Sequence, residues 1–197
     1  MEFDEVVRRR RMVRNYLPDP VNGVALDRIL EAAVRAPSAG FTQGQSFVVV
    51  EDADRRRQIA ELAGEADYVS RGFDPWISRA PVHVVVCVSE EAYHDRYREP
   101  DKLATDGNEI AWPVPYWYVD AGASLMAILL AAVNEGLGAG FLGSQSFAGL
   151  KEFLDLPHTV EPIGVVTIGH PAPDRRSSSL DRARRTDAVH RERWTDS

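Results

Sequence analysis

Residues 121–133 constrain this chain more than any other stretch. They run for about 13 residues without a charged side chain, interrupted only by Gly122 and Ser124 among alanine, leucine, isoleucine, methionine and valine. A helix that is apolar on every side has no face to offer water and must be covered all round. The run falls well short of the roughly 20 residues needed to span a bilayer, so the cover has to be protein. The pattern predicts a fully buried central helix over 119–135, stopped by Gly136 or Gly138.

The covering layers are legible as short elements. Residues 47–50 and Val82–Val88 are β-branched runs consistent with buried strands, and 139–142 and 163–168 are further strand candidates. A helix over residues 3–11 precedes them. A second carries the stripe Leu26, Ile29, Leu30 and Ala33 up to Pro37, a polar one covers 54–63, and another covers 147–154. Residues 90–118 read as irregular, a lid or excursion rich in Tyr, Trp and Pro. From Pro171 the chain is a polar arm, with Ser177, Ser178 and Ser179 as its flexible part. Helices and single strands alternate without a strand–glycine loop–helix signature. The expectation is one α+β or three-layer domain over 1–197 with no dinucleotide fingerprint.

Charge narrows the function. The net charge is −7, yet five of the seven residues from Arg8 to Arg14 are arginines, and arginine gathers again at Arg182, Arg184, Arg185, Arg191 and Arg193. A nucleic-acid surface would be broadly basic, and a pI near 5.3 argues against one. Two compact cationic clusters suit a small doubly charged anion, because guanidinium forks match phosphate oxygens. The ordinary alternative is a solvated face in a chain whose only lysines are Lys102 and Lys151. Whether residues 10–14 are extended or helical, Arg10 and Arg14 share a face.

Two loops could meet a ligand. Residues 36–45 hold small and amide side chains that let a flat ring approach the backbone, though an ordinary turn explains them equally well. Residues 136–144 are glycine-dense without a phosphate-loop pattern, and Gly143 and Ser144 can present backbone N–H groups. Five scattered histidines and the single Cys87, which reads as a buried inert thiol, give no metal-ligand spacing. No nucleophile-elbow motif occurs. Asp120 reads as an N-cap or first-turn carboxylate of the central helix, and the aromatics Trp112, Tyr116, Trp117 and Tyr118 as a lid or a subunit interface. No secretion signal is evident, so the expected location is cytoplasmic, with no membrane partner.

In order and spacing, these pieces resemble the nitroreductase family of FMN-dependent flavoproteins. The segment Arg10-Arg11-Met12-Val13-Arg14-Asn15-Tyr16 is similar to the family's R-R-S-x-R-x-F, and Ala36-Pro37-Ser38-Ala39-Gly40-Phe41-Thr42-Gln43 to A-P-S-x-x-N-x-Q-P-W. Asp120-Ala121-Gly122-Ala123 through Gly138, Pro162-Ile163-Gly164 through Pro171, Arg182-Ala183-Arg184-Arg185 and Val189-His190 complete the match. The resemblance implies an intertwined homodimer, each subunit a three-layer α/β/α sandwich with a mixed central sheet, with flavin sites at the interface. Arg10, Arg14, Arg182 and Arg184 would hold the FMN phosphate, with Arg11 and the Met12 backbone along the ribityl chain. Pro37, Ser38, Ala39, Gly40 and Gln43, from the other subunit, would line the ring. Leu142, Gly143 and Ser144 would lie near its reactive nitrogen. NADH or NADPH would be the electron donor, and a nitroaromatic, quinone or similar small molecule the acceptor. No side chain would be catalytic and no metal bound. The alternative the resemblance allows is a flavin- or deazaflavin-binding storage or sensor protein. Met12, Phe41 and Gly44-Gln45 depart from the family pattern.

Overall fold

A computed structural model describes residues 1–175 and 177–194. A four-stranded sheet forms its middle layer: β1 Gln45–Val50, β2 Val82–Val88, β3 Gly138–Gly143 and β4 Glu161–Gly169, in the order β1-β2-β4-β3. Every pairing between these strands is antiparallel, so the expected mixed sheet is not what forms. The parallel component is reduced to an isolated bridge between Met12 and Ala139. The N-terminal segment runs past the edge strand there for one pair only.

The strand residues alternate between two cores, as a two-residue period requires. Val82, Val84, Val86, Val88, Val166 and Ile168 face one layer; Val85, Cys87 and Val165 face the other. Helix α2 (Gly23–Val34) buries Leu26, Ile29 and Ala33 in the first core, and Asn22 caps it by accepting from Val24 N–H at 2.9 Å. The central helix, α7 (Tyr116–Asn134), buries Trp117, Asp120, Ala121, Ser124, Ile128, Leu129 and Ala132. It is not covered all round as expected, because Tyr118, Val119 and Met126 stay exposed in the single chain. By length and composition alone α7 could cross a bilayer, but it lies packed between α2 and the sheet.

The opposite layer holds α3 (Ala53–Leu62), α4 (Glu65–Ser70), α5 (Trp76–Arg79) and α8 (Leu150–Phe153). Asp52 caps α3. The buried Glu65 carboxylate accepts from Ile77 N–H at 2.6 Å and Ser78 N–H at 3.1 Å, closing the free donors of α5. Cys87 is fully buried, and burial pushes its thiol up to about 12.

Four further expectations need correction. The first helix, α1 (Phe3–Arg9), stops two residues early, and residues 10–14 are extended. Residues 90–118 are not irregular throughout, because α6 (Glu90–Tyr97) forms behind a Ser89 cap and α7 starts at Tyr116 instead of 119. The helix over 147–154 is one turn preceded by a 3₁₀ turn, because Gly149 takes a left-handed conformation between them. Ser177 to Ser179 do not form a bare flexible element, since Ser178–Asp181 is a 3₁₀ turn capped by the Ser177 hydroxyl. Of the C-terminal arm, Arg176 and residues 195–197 lie outside the described residues.

Candidate functional site

The arginine segment is laid against β3. Arg10 ends α1 with its N–H on Val6 O. Val13 N–H then reaches Ala139 O at 3.0 Å, so the chain runs beside the edge strand. That approach needs glycine on the strand: a Cβ at Gly140 would lie 2.5 Å from Val13 O. Beyond it, residues 15–17 bond with 170–173, through Leu17 N–H to His170 O, Ala172 N–H to Asn15 O and Asn15 Nδ2 to Pro173 O. The two ends of the chain, each with its arginine cluster, are thereby joined.

The arginines differ sharply in what they do. Arg9 pairs with Glu5 on the surface of α1. Arg11 holds Asp174 at 2.6 and 2.7 Å, and Asp174 also accepts from Arg14 N–H at 2.8 Å. That pairing commits the Arg11 guanidinium. The Arg14 guanidinium has no ion pair among the described residues and lines a cavity of about 420 Å³, within the range typical of small-molecule sites. Leu142 of β3 lines the same cavity, and Gly143 and Ser144 follow it in the chain. Arg182 and Arg184 lie exposed directly after Asp181, another lining residue.

Sequence reasoning missed the rest of this wall: Tyr68, Phe73, Asp74, Trp76 and Arg175. The aromatic stretch at 73–76 was the available signal, but nothing in it pointed towards Arg14. Trp76 is buried, with its indole N–H unpartnered.

The loop containing Pro37, Ser38, Ala39, Gly40 and Gln43 lies elsewhere. It leads into β1, the edge strand opposite β3, and three intervals of about 4.8 Å separate those edges by about 14 Å. The loop is held from several sides. Asp120 is not the cap of its own helix; it sits in the second turn of α7, where its buried carboxylate accepts from Ala39 N–H at 2.8 Å and Tyr93 O–H at 2.9 Å. It caps the 3₁₀ turn Ala39–Phe41 instead. Burial, and then the bond to Asp120, push the Tyr93 phenol well above its ordinary range. Arg96 Nε donates to Gly40 O at 3.1 Å, and Gln43 N–H to Ser38 Oγ at 2.9 Å. Gly40 has φ +62, and a Cβ there would lie 2.7 Å from the Tyr97 ring. Phe41 and Gln43 also have positive φ, +56 and +55, and Phe41 is 76% exposed.

Behind this loop the 98–115 segment is anchored on one carboxylate. Glu109 meets His94 Nδ1 at 2.5 Å, Trp112 Nε1 at 2.7 Å and Arg98 Nε at 3.0 Å. Among the described residues no group of three His, Cys, Asp or Glu could hold a metal.

Known proteins resemble this chain over most of its length. The chain is 34% identical over 193 residues to the FMN reductase [NAD(P)H] of Bacillus subtilis, covering 93% of this chain and 71% of that one. It is 28% identical over 169 residues to the NADPH-flavin oxidoreductase of Vibrio harveyi, covering 85% and 65%. The solved structure of NfrA2 from B. megaterium superposes with a TM-score of 0.76 at 25% identity, covering 99% of this chain and 76% of that one. The profile of the nitroreductase family matches residues 7–170, the span from the end of α1 to the close of the sheet. With sheet, arginine segment and glycine-bearing loop all inside that match, the chain belongs to the nitroreductase family.

Proposed function

We propose that this chain is an NAD(P)H-dependent FMN oxidoreductase acting on a nitroaromatic, quinone or similar small acceptor. The observation that carries the reading is Arg14: an unpaired guanidinium opening on a ligand-sized cavity in an acidic chain. When bound, FMN would supply the two-electron chemistry, taking hydride from NADH or NADPH and passing the electrons on. Arg14, the one of the four expected phosphate donors that lines the cavity, fits the group. Arg10, with Arg182 and Arg184 from the arm, would add forked donors to its phosphate. Arg11 contributes through its backbone and that of Met12, because its side chain is spent on Asp174. Leu142, Gly143 and Ser144 would flank the ring, with a backbone N–H near its reactive nitrogen. No side-chain acid or base is required.

The ring-lining loop would come from a second subunit, which is why Pro37 to Gly40 and Gln43 stand at the far edge of the sheet. An exposed apolar surface supports that homodimer: Tyr118, Val119 and Met126 on α7, Phe3 and Val7 on α1, and Phe41 on the loop. The reading makes residues 1–197 one flavin-binding domain in the cytoplasm, with 171–197 as its arm. The span 90–118, expected as a lid, is tied to the core through Tyr93 of α6 and Trp117 of α7.

The absorption spectrum of the purified protein tests this. A bound flavin that NADH or NADPH bleaches and an acceptor restores, in a particle of twice the chain mass, is the expected outcome. Colourless protein that takes up no FMN would sink the proposal, and flavin that neither nucleotide bleaches would point to storage or sensing.

A further inference from the structure

The cavity beneath Arg14 carries a second arginine that cofactor binding leaves unassigned. Arg175 is exposed, lines the cavity and lies 5.3 Å from the centre of the Phe73 ring. Phe73 meets Tyr68 edge-on at 6.3 Å, and Arg71 covers Tyr68 at 5.0 Å. Among the described residues Arg175 makes no ion pair, although the chain has thirty acidic side chains against twenty-three Lys and Arg. Its neighbours do pair. Asp174 is taken by Arg11, and Asp74, on the same cavity wall, by Arg79 at 3.0 Å. Asp181, the other carboxylate of the wall, is itself engaged. Arg175, which lines the cavity and lies over Phe73, is therefore left for something that enters.

We propose that Arg175 makes this cavity select electron acceptors that carry an anionic group on an aromatic ring, with Phe73 and Tyr68 supplying the ring contact. The proposal rests on the reading of the cavity as the flavin site. A guanidinium already lying over an aromatic ring is oriented before the ligand arrives, so its fork can meet a carboxylate with little further ordering. Flat aromatic side chains take a flat ring edge-on or offset. The combination discriminates by charge as well as by shape.

Two acceptors with the same ring and different charge, 4-nitrobenzoate and 4-nitrobenzamide, test it on the FMN-loaded protein. Wild type should favour the nitrobenzoate in kcat/KM. In Arg175→Gln that preference should fall about tenfold, the range of a charge-assisted hydrogen bond, and Arg175→Lys should restore part of it. Benzoate, which cannot be reduced, gives the same comparison by calorimetry without turnover, and its binding should weaken in parallel. An unchanged acceptor ratio in Arg175→Gln overturns the proposal. So does a variant that loses only a preference for NADPH over NADH, which would assign the arginine to the donor's extra phosphate. Wild type that holds flavin and reduces both acceptors equally overturns this inference alone, whereas wild type that holds no flavin overturns the cofactor reading with it.

Discussion

The loop before β1 and the cavity beside β3 solve opposite problems. The loop is tied at several points to the rest of the chain and to itself: Asp120 holds Ala39, Arg96 holds Gly40, and Ser38 holds Gln43. Around the cavity Arg14 and Arg175 have no ion pair among the described residues, and the buried Trp76 indole N–H has no hydrogen-bond partner. A surface that must present a fixed shape to another molecule gains from internal bonds. A surface that must grip a charged ligand needs donors not already spent. On the proposed function, the difference assigns shape to one half of the site and charge to the other.

Two substitutions should separate these roles. Asp120→Ala leaves Ala39 N–H and Tyr93 O–H without their acceptor. It should cost roughly 3 kcal/mol, since hydrogen bonds to charged groups are worth about 1.5–3 kcal/mol, or about 6–12 °C in Tm for a chain this long. Arg14→Ala breaks no ion pair among the described residues and should leave Tm of the flavin-free protein near wild type, yet weaken FMN binding about tenfold or more. Thermal melts of flavin-free protein and FMN titrations check both. If Arg14→Ala melted as early as Asp120→Ala, the contrast between the two regions would be lost.

A smaller effect concerns the anchor behind the loop. The hydrogen bond to Glu109 raises His94 above its ordinary 6.5, with Glu90 adding to it, and the same contact holds Glu109 below its ordinary 4.5. Arg98, bonded to the other oxygen of Glu109, is the remaining charged group in contact. A raised histidine stabilises the fold fully below 6.5 and less as pH rises through its folded value. A lowered carboxylate stabilises fully above 4.5 and less as pH falls. The pair is therefore strongest between those limits. The Tm advantage of wild type over His94→Gln should be greatest near pH 6 and shrink towards pH 9, as differential scanning fluorimetry across pH can measure. A difference that grew with pH would exclude the His94–Glu109 anchor.

The layers were legible where the pattern was local. The β-branched Val82–Val88 and the Leu26–Ile29–Ala33 stripe each declare their own burial, and the strands formed within two residues of expectation. The all-apolar helix, expected to be buried on every side, instead leaves Tyr118, Val119 and Met126 exposed on one of them. Asp120 was visible as a carboxylate near a helix start, but its partners lie 81 and 27 residues away, so local reasoning gave it the wrong turn to cap. Arg11 and Arg14 look alike in sequence. Only the return of the chain at 170–174 makes one a structural ion pair and leaves the other open. Helix α6 was hidden because it is short and rich in charge, and its order rests on the Ser89 cap and the buried Tyr93. Tyr68, Phe73 and Arg175 come from two distant segments, so no spacing rule could have joined them.

The loop's rigidity has a local cost, and removing it gives the smallest effect. Phe41 adopts φ +56 with its side chain three-quarters exposed. A left-handed backbone costs an ordinary residue about 1–2 kcal/mol, and an exposed ring recovers little of that by packing within the chain. Glycine adopts the same angles without the clash but loses more chain entropy on folding, by roughly 0.5–1 kcal/mol. Phe41→Gly should therefore stabilise the isolated chain slightly, by about 0.5 kcal/mol, the balance of these two effects. If the ring meets a second subunit, the same substitution should weaken that association. Melts at low and high protein concentration would show the sign change: a gain where the chain is monomeric and a loss where it is paired. A variant less stable than wild type at every concentration would mean that the Phe41 ring is held within its own chain after all, and that this loop is not the presenting surface that the contrast with the cavity makes it.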